Sequence, residues 1–388
     1  MSIHRNQWIL AMLLIIAPFI SGCWDYTEID DQIIISGIAV DYDQESKGIT
    51  LTAEITLPTF SGKESNFNSK IYQGKGQSML DAIVDLASKA GRHLLWSHAK
   101  VLILSQEIMA QENLFIGVMD WIKRTREIRD TIWMLVAKEI FAGDILLKSN
   151  PQTQKIISAY LDGLFLAQKS ETFLSVPFSK FIDDLESDSV CSALPTIRLE
   201  DSSNGILPLL EGTALFYRNK EVGWLDGKQT RILSLLMNHL KQAVFAPEPS
   251  GNQNLKGVSL KVDNCQTAIQ PVLGPKGLVM KIRVKMDAQI GEIDGEQDVF
   301  KPDKIKKLIK ADQNMIKAQI KDLLRLLQRN YQCDVTGFGN KVAAKYPKLW
   351  KEIKNRWRNE YAAIPADIRF KLTIFGSQDS MKETKVGP

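Results

Sequence analysis

Histidine and cysteine are scarce in this chain of 388 residues, and each occurs only four times. His93 and His98 lie five positions apart, and neither belongs to an H-E-x-x-H motif, which places two imidazoles on one helix face. No C-x-x-C pair occurs, so the ligand spacing of zinc sites and the paired cysteines of redox motifs are both missing. The sequence therefore predicts neither a metal centre nor a redox site.

The common catalytic motifs are missing as well. The chain has no G-x-S-x-G nucleophile elbow, no P-loop and no complete glycine-rich dinucleotide turn. Its net charge is only +4 with both signs interspersed, which does not give the basic patch of a nucleic-acid-binding protein. An apolar share of 44% and a charged share of 24% are typical of globular proteins. We therefore predict a globular protein that is not an enzyme, holds no cofactor or metal and binds no nucleic acid.

After Cys23 no apolar run approaches the roughly 20 residues that a membrane-spanning helix needs. Residues 8–20 form an apolar run after a short cationic start, and Ser21 and Gly22 then precede the cysteine. This order resembles a bacterial lipoprotein signal, in which the cysteine is acylated and becomes the first mature residue. We predict a signal peptide over residues 1–22 and a lipid on Cys23. The alternative is an ordinary signal peptide, or a buried helix, with a chance cysteine.

Three cysteines remain in the predicted mature body, and they are far apart in sequence: Cys191, Cys265 and Cys333. Our expectation is that they are buried free thiols. An exported protein could also form one disulfide among them, and the sequence does not choose the pair.

The pattern of elements predicts an α+β protein of three successive domains, each a mainly antiparallel or mixed sheet packed with helices. A β-branched run at 33–40 and an alternating run at 49–57 predict a hairpin with one buried face. A proline-containing stretch at 245–256 predicts a linker. The predicted boundaries are 1–22 for the signal peptide, 23–145, 146–245 and 257–376 for the three domains, and 377–388 for a flexible tail.

A charged stretch at 124–130 separates a predicted helix from a predicted strand. Arg124, Arg126, Glu127 and Arg129 are candidate contacts for a partner protein. The alternative is a set of ion pairs at the helix end, since exposed pairs are common and contribute little to stability.

The strongest helical pattern begins after Pro302, with apolar residues at helical spacing and lysines over much of the other side. That lysine face could lie on anionic lipid headgroups. The alternative is an ordinary solvated face of long cationic side chains.

Taken together in chain order, these segments resemble the Ger(x)C family, the lipoprotein C subunits of bacterial spore germinant receptors. Single pieces are weak signals, but the ordered set spans nearly the whole predicted mature chain. One departure is Thr336, where the family pattern leads us to expect a large apolar residue. The matching segments are G-C-W-D at 22–25 with Glu28, R-E-I-R at 126–129, I-W-M-L-V-A-K at 132–138, G-T-A at 212–214, V-G-W-L at 222–225, D-V-x-G-F-G at 334–339, Y-P-x-x-W at 346–350 and Trp357.

The resemblance implies a lipid-anchored, non-enzymatic subunit of a nutrient germinant receptor, needed for spore germination. It implies two integral-membrane partners, the A and B subunits, with no direct small-molecule ligand for this chain. It also implies a location on the spore inner membrane, on the face away from the core cytoplasm. Two alternatives stay open from the residues alone: a solute-binding lipoprotein of a membrane transporter, and an enzyme anchored to the cell envelope.

Overall fold

The computed structural model of the protein describes residues 32–61, 64–152, 154–167, 172–203, 205–240, 243–245, 258–275, 277–293 and 302–375. The predicted signal peptide, Cys23 and the predicted tail lie outside these ranges, so those predictions are not tested by the fold. Within the described ranges strands and helices alternate along the chain, as expected for an α+β protein.

The strands are numbered in chain order. They are β1 Gln32–Asp43, β2 Gly48–Ser61, β3 Glu64–Gly76, β4 His93–Leu95, β5 Val101–Ser105, β6 Trp133–Ala137, β7 Ser192–Ser202, β8 Gly205–Tyr217, β9 Lys220–Leu225, β10 Ala243–Phe245, β11 Val258–Gly274, β12 Gly277–Ile293 and β13 Ala366–Phe375.

The helices lie between them. They are α1 Met79–Ala90, α2 Gln106–Ala110, α3 Glu112–Arg124, α4 Ala142–Lys148, α5 Ile157–Ala167, α6 Phe178–Leu185, α7 Gly227–Leu236, α8 Pro302–Arg325, α9 Phe338–Lys345, α10 Pro347–Ile353 and α11 Trp357–Ala363. A π-helical turn, Leu326–Tyr331, continues α8.

A large mixed sheet contains the first nine strands, in the order β3-β2-β1-β5-β6-β7-β8-β9, with β4 beside β1. The four central strands of this sheet pair in parallel: β1 with β5, β5 with β6, and β6 with β7. Antiparallel hairpins form both wings, β1-β2-β3 on one side and β7-β8-β9 on the other. The predicted hairpin at 33–57 is therefore confirmed, and it forms part of a much wider sheet.

The sequence predicts a separate sheet in each domain, and for the first two predicted domains that prediction is wrong. The strands before residue 145 and those from β7 to β9 belong to one sheet, joined where β6 pairs with β7 in parallel. That junction is short: it pairs Val136 with Thr196 and Ala137 with Ile197. Periodicity identifies strands but not their neighbours, so a link between distant segments gives no local signal.

The second sheet has the order β10-β11-β12-β13. β11 and β12 form a long antiparallel hairpin, and β13 adds to β12 in parallel. β10 falls inside the predicted middle domain, yet it pairs with β11. The chain therefore enters the second sheet before the predicted linker at 245–256.

Both faces of the central strands are buried. On β5, Leu102 and Leu104 point into one core, whereas Val101 and Ile103 point into another. Burial on both faces is the usual environment of parallel strands, because helices cover each side. The first core is continuous with the core of the second sheet, and the other lies under α4 and α5.

Two buried carboxylates in the β1–β2 hairpin hold these two covering helices. Asp41 accepts hydrogen bonds from the backbone N–H groups of Ala142 and Gly143, at 2.7 and 2.8 Å, where α4 begins. Glu54 accepts from the first two N–H groups of α5, at 2.7 and 2.8 Å. The first N–H groups of a helix lack partners inside the helix and carry partial positive charge, so a carboxylate suits them. Burial raises the pKa of Asp41 to about 6, although these hydrogen bonds oppose the rise.

The lysines of α8 lie mostly on the surface and form no ion pair within the described residues. Both interpretations of this face, lipid contact and solvation, stay predictions. No helix in the described part of the chain combines the length and the apolar character needed to cross a membrane.

Asp312 interrupts the buried stripe of α8 formed by Leu308, Ile316 and Ile320. It is 7% exposed, and its Oδ2 atom has no hydrogen-bond partner. Burial raises its pKa from 3.8 to about 7, because the charged form loses hydration without gaining a partner. The folded state therefore favours the protonated acid. The stability that the protonated Asp312 allows is present in full below about pH 4, and it is lost as the pH rises towards 7 and the buried acid must ionise.

We expect Asp312→Asn to stabilise the protein at pH 8 more than at pH 5. The difference between the two values should be about 2–3 kcal/mol, because only the wild type must ionise a buried acid over that interval. Denaturant unfolding at both pH values measures it. Asp303→Asn, on an exposed residue in the first turn of the same helix, is the control. An equal effect of Asp312→Asn at both pH values would contradict the assignment.

Candidate functional site

The turn before α9 is built around the fully buried carboxylate of Asp334. Its Oδ1 atom accepts from Phe338 N and from the Thr336 hydroxyl, both at 3.0 Å. Its Oδ2 atom accepts from Gly339 N at 2.7 Å and from Trp357 Nε1 at 3.1 Å. Burial raises the pKa of Asp334, and these four hydrogen bonds oppose that rise. Thr336, the departure from the family pattern, is thus a hydrogen-bond donor in a buried polar network.

Glycines allow this turn to close. Gly337 has a φ of +71°, in the left-handed region that favours glycine. A Cβ atom on Gly339 would lie 2.5 Å from Ser189 Cβ and 2.9 Å from Trp357 Nε1. Since either contact is shorter than packing allows, the close approach of three segments depends on glycine at 339.

A second contact joins the end of α8 to the large sheet. The ring of Tyr331 lies against β9 at Gly223, where a Cβ atom would come within 2.2 Å of Tyr331 Cε1. The Tyr331 hydroxyl donates to the Trp224 carbonyl oxygen at 3.0 Å. The V-G-W-L and D-V-x-G-F-G motifs are therefore parts of one junction between the two sheets.

A cleft of about 530 Å³ opens at this junction, and we call it the junction cleft. It is lined by α3, the loop 185–191, the hairpin tip 217–219 and segments around 332–334 and 354–361. Its rim carries both signs of charge. Lys123 bridges to Glu186 at 2.6 Å, and Lys354 lies 3.8 Å from Asp188. Such exposed pairs contribute little to stability but can orient a charged partner.

Two arginines flank an aromatic ring on the same rim. Arg358 lies 4.8 Å and Arg218 lies 5.7 Å from the centroid of the Tyr217 ring. Arg218 sits at the tip of the β8–β9 hairpin with a φ of +58°, a conformation rare for residues other than glycine. Tyrosine and arginine are enriched at protein interfaces, so this cluster suits contact with another protein.

The lining of the cleft combines charged and aromatic side chains. Among the described residues, no group of three or more His, Cys, Asp or Glu side chains lies close enough to hold a metal ion. Cys191 and Asp334 lie at the inner wall, and both are buried.

The predicted contact residues at 124–129 lie outside the lining of the junction cleft. Arg124, at the end of α3, forms an ion pair with Asp120 at 2.7 Å. Glu127 receives a long hydrogen bond of 3.5 Å from Trp96 N. Arg126 and Arg129 are exposed and form no ion pair within the described residues. Local pairing thus accounts for the first two, whereas the last two are available for a partner.

Sequence reasoning missed the junction cleft because its walls come from five separate segments of the chain. The glycine-flanked turn at 334–339 has a clear sequence pattern, but an acid in such a turn gives no sign of burial. Trp357, the first residue of α11, is buried in the core, and Trp350 on α10 is half-buried. The Trp357 ring lies edge-on to the Trp350 ring, with 5.1 Å between the two ring centroids. The Trp357 indole N–H donates to Asp334 Oδ2.

Comparison with known proteins agrees with this architecture. The family described as "Spore germination protein N-terminal domain" matches residues 25–199, and "Spore germination B3/ GerAC like, C-terminal" matches residues 211–378. The chain is 21% identical to spore germination protein KC of Bacillus subtilis, with 95% of each chain covered. It is 24% identical to spore germination protein GerQC of Bacillus cereus, over 95% of this chain and 96% of that protein.

A solved structure shares the fold. The crystal structure of the GerBC protein matches with a TM-score of 0.55 and 18% identity, over 88% of this chain and 96% of that chain. The α+β class is therefore confirmed. The two family matches, which together cover most of the chain, define a protein of the spore germination class. The chain belongs to the Ger(x)C family.

We expect Gly223→Ala to lower the free energy of unfolding by about 1–3 kcal/mol, because the added methyl group collides with the Tyr331 ring. Gly117→Ala in α3 is the matched control, since a Cβ atom there meets nothing within 4 Å. That control should stabilise the protein by up to about 1 kcal/mol through helix propensity. Denaturant unfolding measures both variants.

The same substitution should cost much less in a Tyr331→Ala background, where the ring is gone. If Gly223→Ala destabilises both backgrounds equally, the contact with Tyr331 is not the reason for glycine at this position.

Proposed function

We propose that this protein is a lipid-anchored, non-enzymatic subunit of a nutrient germinant receptor complex. In this proposal it docks on the integral-membrane A and B subunits and is needed for spore germination. It lies on the spore inner membrane, on the face away from the core cytoplasm. The observation that carries the proposal is the family match, which covers residues 25–199 and 211–378 in order.

The lipid on Cys23 supplies the membrane attachment in this proposal. A single acyl chain holds a protein only reversibly, whereas two or more give a stable anchor. Tethering restricts the body of the protein to the membrane surface and raises its effective concentration near membrane partners. Weak surface contacts are then sufficient for assembly.

Two surfaces are suited to those contacts. One is the rim of the junction cleft, with Tyr217 between two arginines. The other is the exposed pair Arg126 and Arg129. Both surfaces present exposed arginines, and exterior loops of a membrane protein with acidic or carbonyl groups would complement them.

We expect Cys23→Ala to leave a folded protein that no longer sediments with membranes, with weakened germination. Membrane fractionation and circular dichroism measure attachment and folding separately. Cys265→Ala, which removes a buried thiol, is the control and should remain with membranes. A Cys23→Ala protein that fractionates with membranes as fully as the wild type would exclude the tether.

Reversing both charges, Arg126→Glu with Arg129→Glu, should reduce co-purification with the A and B subunits at least several-fold without lowering thermal stability. Thermal stability should be unchanged because neither side chain forms an ion pair within the described chain that the charge reversal would break. Arg283→Glu with Lys285→Glu on β12 makes the same charge change at two exposed residues that likewise form no ion pair within the described chain, and it is the control. Unchanged co-purification would assign the 126–129 patch a structural role only.

A further inference from the structure

Two of the three cysteines in the described chain lie on neighbouring segments at the junction: Cys191 lines the cleft, and Cys333 lies next to Asp334 in sequence. Cys191 immediately precedes β7 of the large sheet, and Cys333 follows the π-helical turn after α8. The Cys191 backbone N–H donates to the Asp334 carbonyl oxygen at 3.0 Å, which places the two segments side by side. Cys265 lies elsewhere, on β11 opposite Met286.

Cys191 and Cys333 are both buried free thiols in the structure. Both belong to the same buried core, with Cys333 fully enclosed and Cys191 4% exposed. Burial raises the pKa of the Cys333 thiol, and the neighbouring Cys191 side chain adds to that rise. Two buried cysteines on segments joined by a backbone hydrogen bond have the adjacency that a disulfide requires.

We propose that Cys191 and Cys333 form a disulfide when the chain folds in the presence of a disulfide-containing oxidant. The bond would link the start of β7 to the segment carrying Asp334, and so join the two sheets covalently at the cleft. Cys265 stays a free thiol. The two residues are distant in sequence, so the link would strongly restrict the unfolded chain.

The reaction is thiol–disulfide exchange with a small or protein disulfide as the oxidant. One of the two thiolates, for example that of Cys191, attacks one sulfur of the oxidant and releases the other as a thiolate. The Cys333 thiolate then attacks the Cys191 sulfur and releases the second oxidant thiol. Two protein thiols lose two protons and two electrons, and the oxidant gains them. Because both thiols are buried in the folded protein, exchange occurs before the junction closes.

The test uses the full chain carrying Cys23→Ser, so that Cys191, Cys265 and Cys333 are the remaining thiols. The reduced chain is unfolded, refolded in detergent with oxidised glutathione, alkylated and digested without reductant. Mass spectrometry should find the peptides of Cys191 and Cys333 linked, two hydrogen atoms lighter than their sum, with Cys265 alkylated. The oxidised protein should also unfold several degrees above the reduced one.

Cys265→Ser should keep both the linked peptide and the thermal shift, whereas Cys333→Ser should lose both. Three alkylated thiols after refolding, or a link through Cys265, would overturn the proposal. If either serine variant fails to fold, the peptide map of the Cys23→Ser chain, which keeps all three thiols, still tests the proposal. The inference goes beyond the proposed receptor role, and its failure would leave that role untouched.

Discussion

A carboxylate removed from water is tolerated only where hydrogen-bond donors replace its hydration, and Asp334 meets that condition with four of them. The donors come from its own turn, from the start of α9 and from the Trp357 side chain. Because an unsatisfied buried charge costs several kcal/mol, all of these groups must be in place together. The arrangement thus holds α9 and α11 in a fixed relation to the end of α8.

The same solution recurs in the large sheet. Asp41 and Glu54 each accept two backbone N–H groups at the start of a helix that covers the sheet. Each of the three carboxylates lies on a strand or turn and accepts hydrogen bonds from the first residues of a helix. Together they specify which helix lies where, a task that non-directional apolar packing performs poorly. The family relation across proteins of about 20% identity is consistent with few such directional contacts carrying the fold.

Much of the local structure could be predicted from the sequence. The hairpin at 33–57, the strand after the charged stretch at 124–130 and the long helix after Pro302 all follow from periodicity and turn residues. The pairing of β6 with β7 could not be predicted, because two residues on each strand make the contact. Nor could the junction cleft, since proximity of segments around 112, 188, 217 and 358 is a property of the whole fold. The burial of Asp334 could not be predicted either, because acidic residues in glycine-rich turns are usually exposed to solvent.

The order of the second sheet has a consequence for biosynthesis. β13 is the final described strand, and it pairs with β12 along ten positions from Met280–Ala366 to Gln289–Phe375. Until residues 366–375 emerge, β12 presents a long open edge of unpaired backbone groups, which favours aggregation with other chains. A nascent chain of this protein is therefore vulnerable to aggregation from the time β12 emerges until β13 has paired with it, and a nonsense mutation upstream of β13 would leave that edge open permanently.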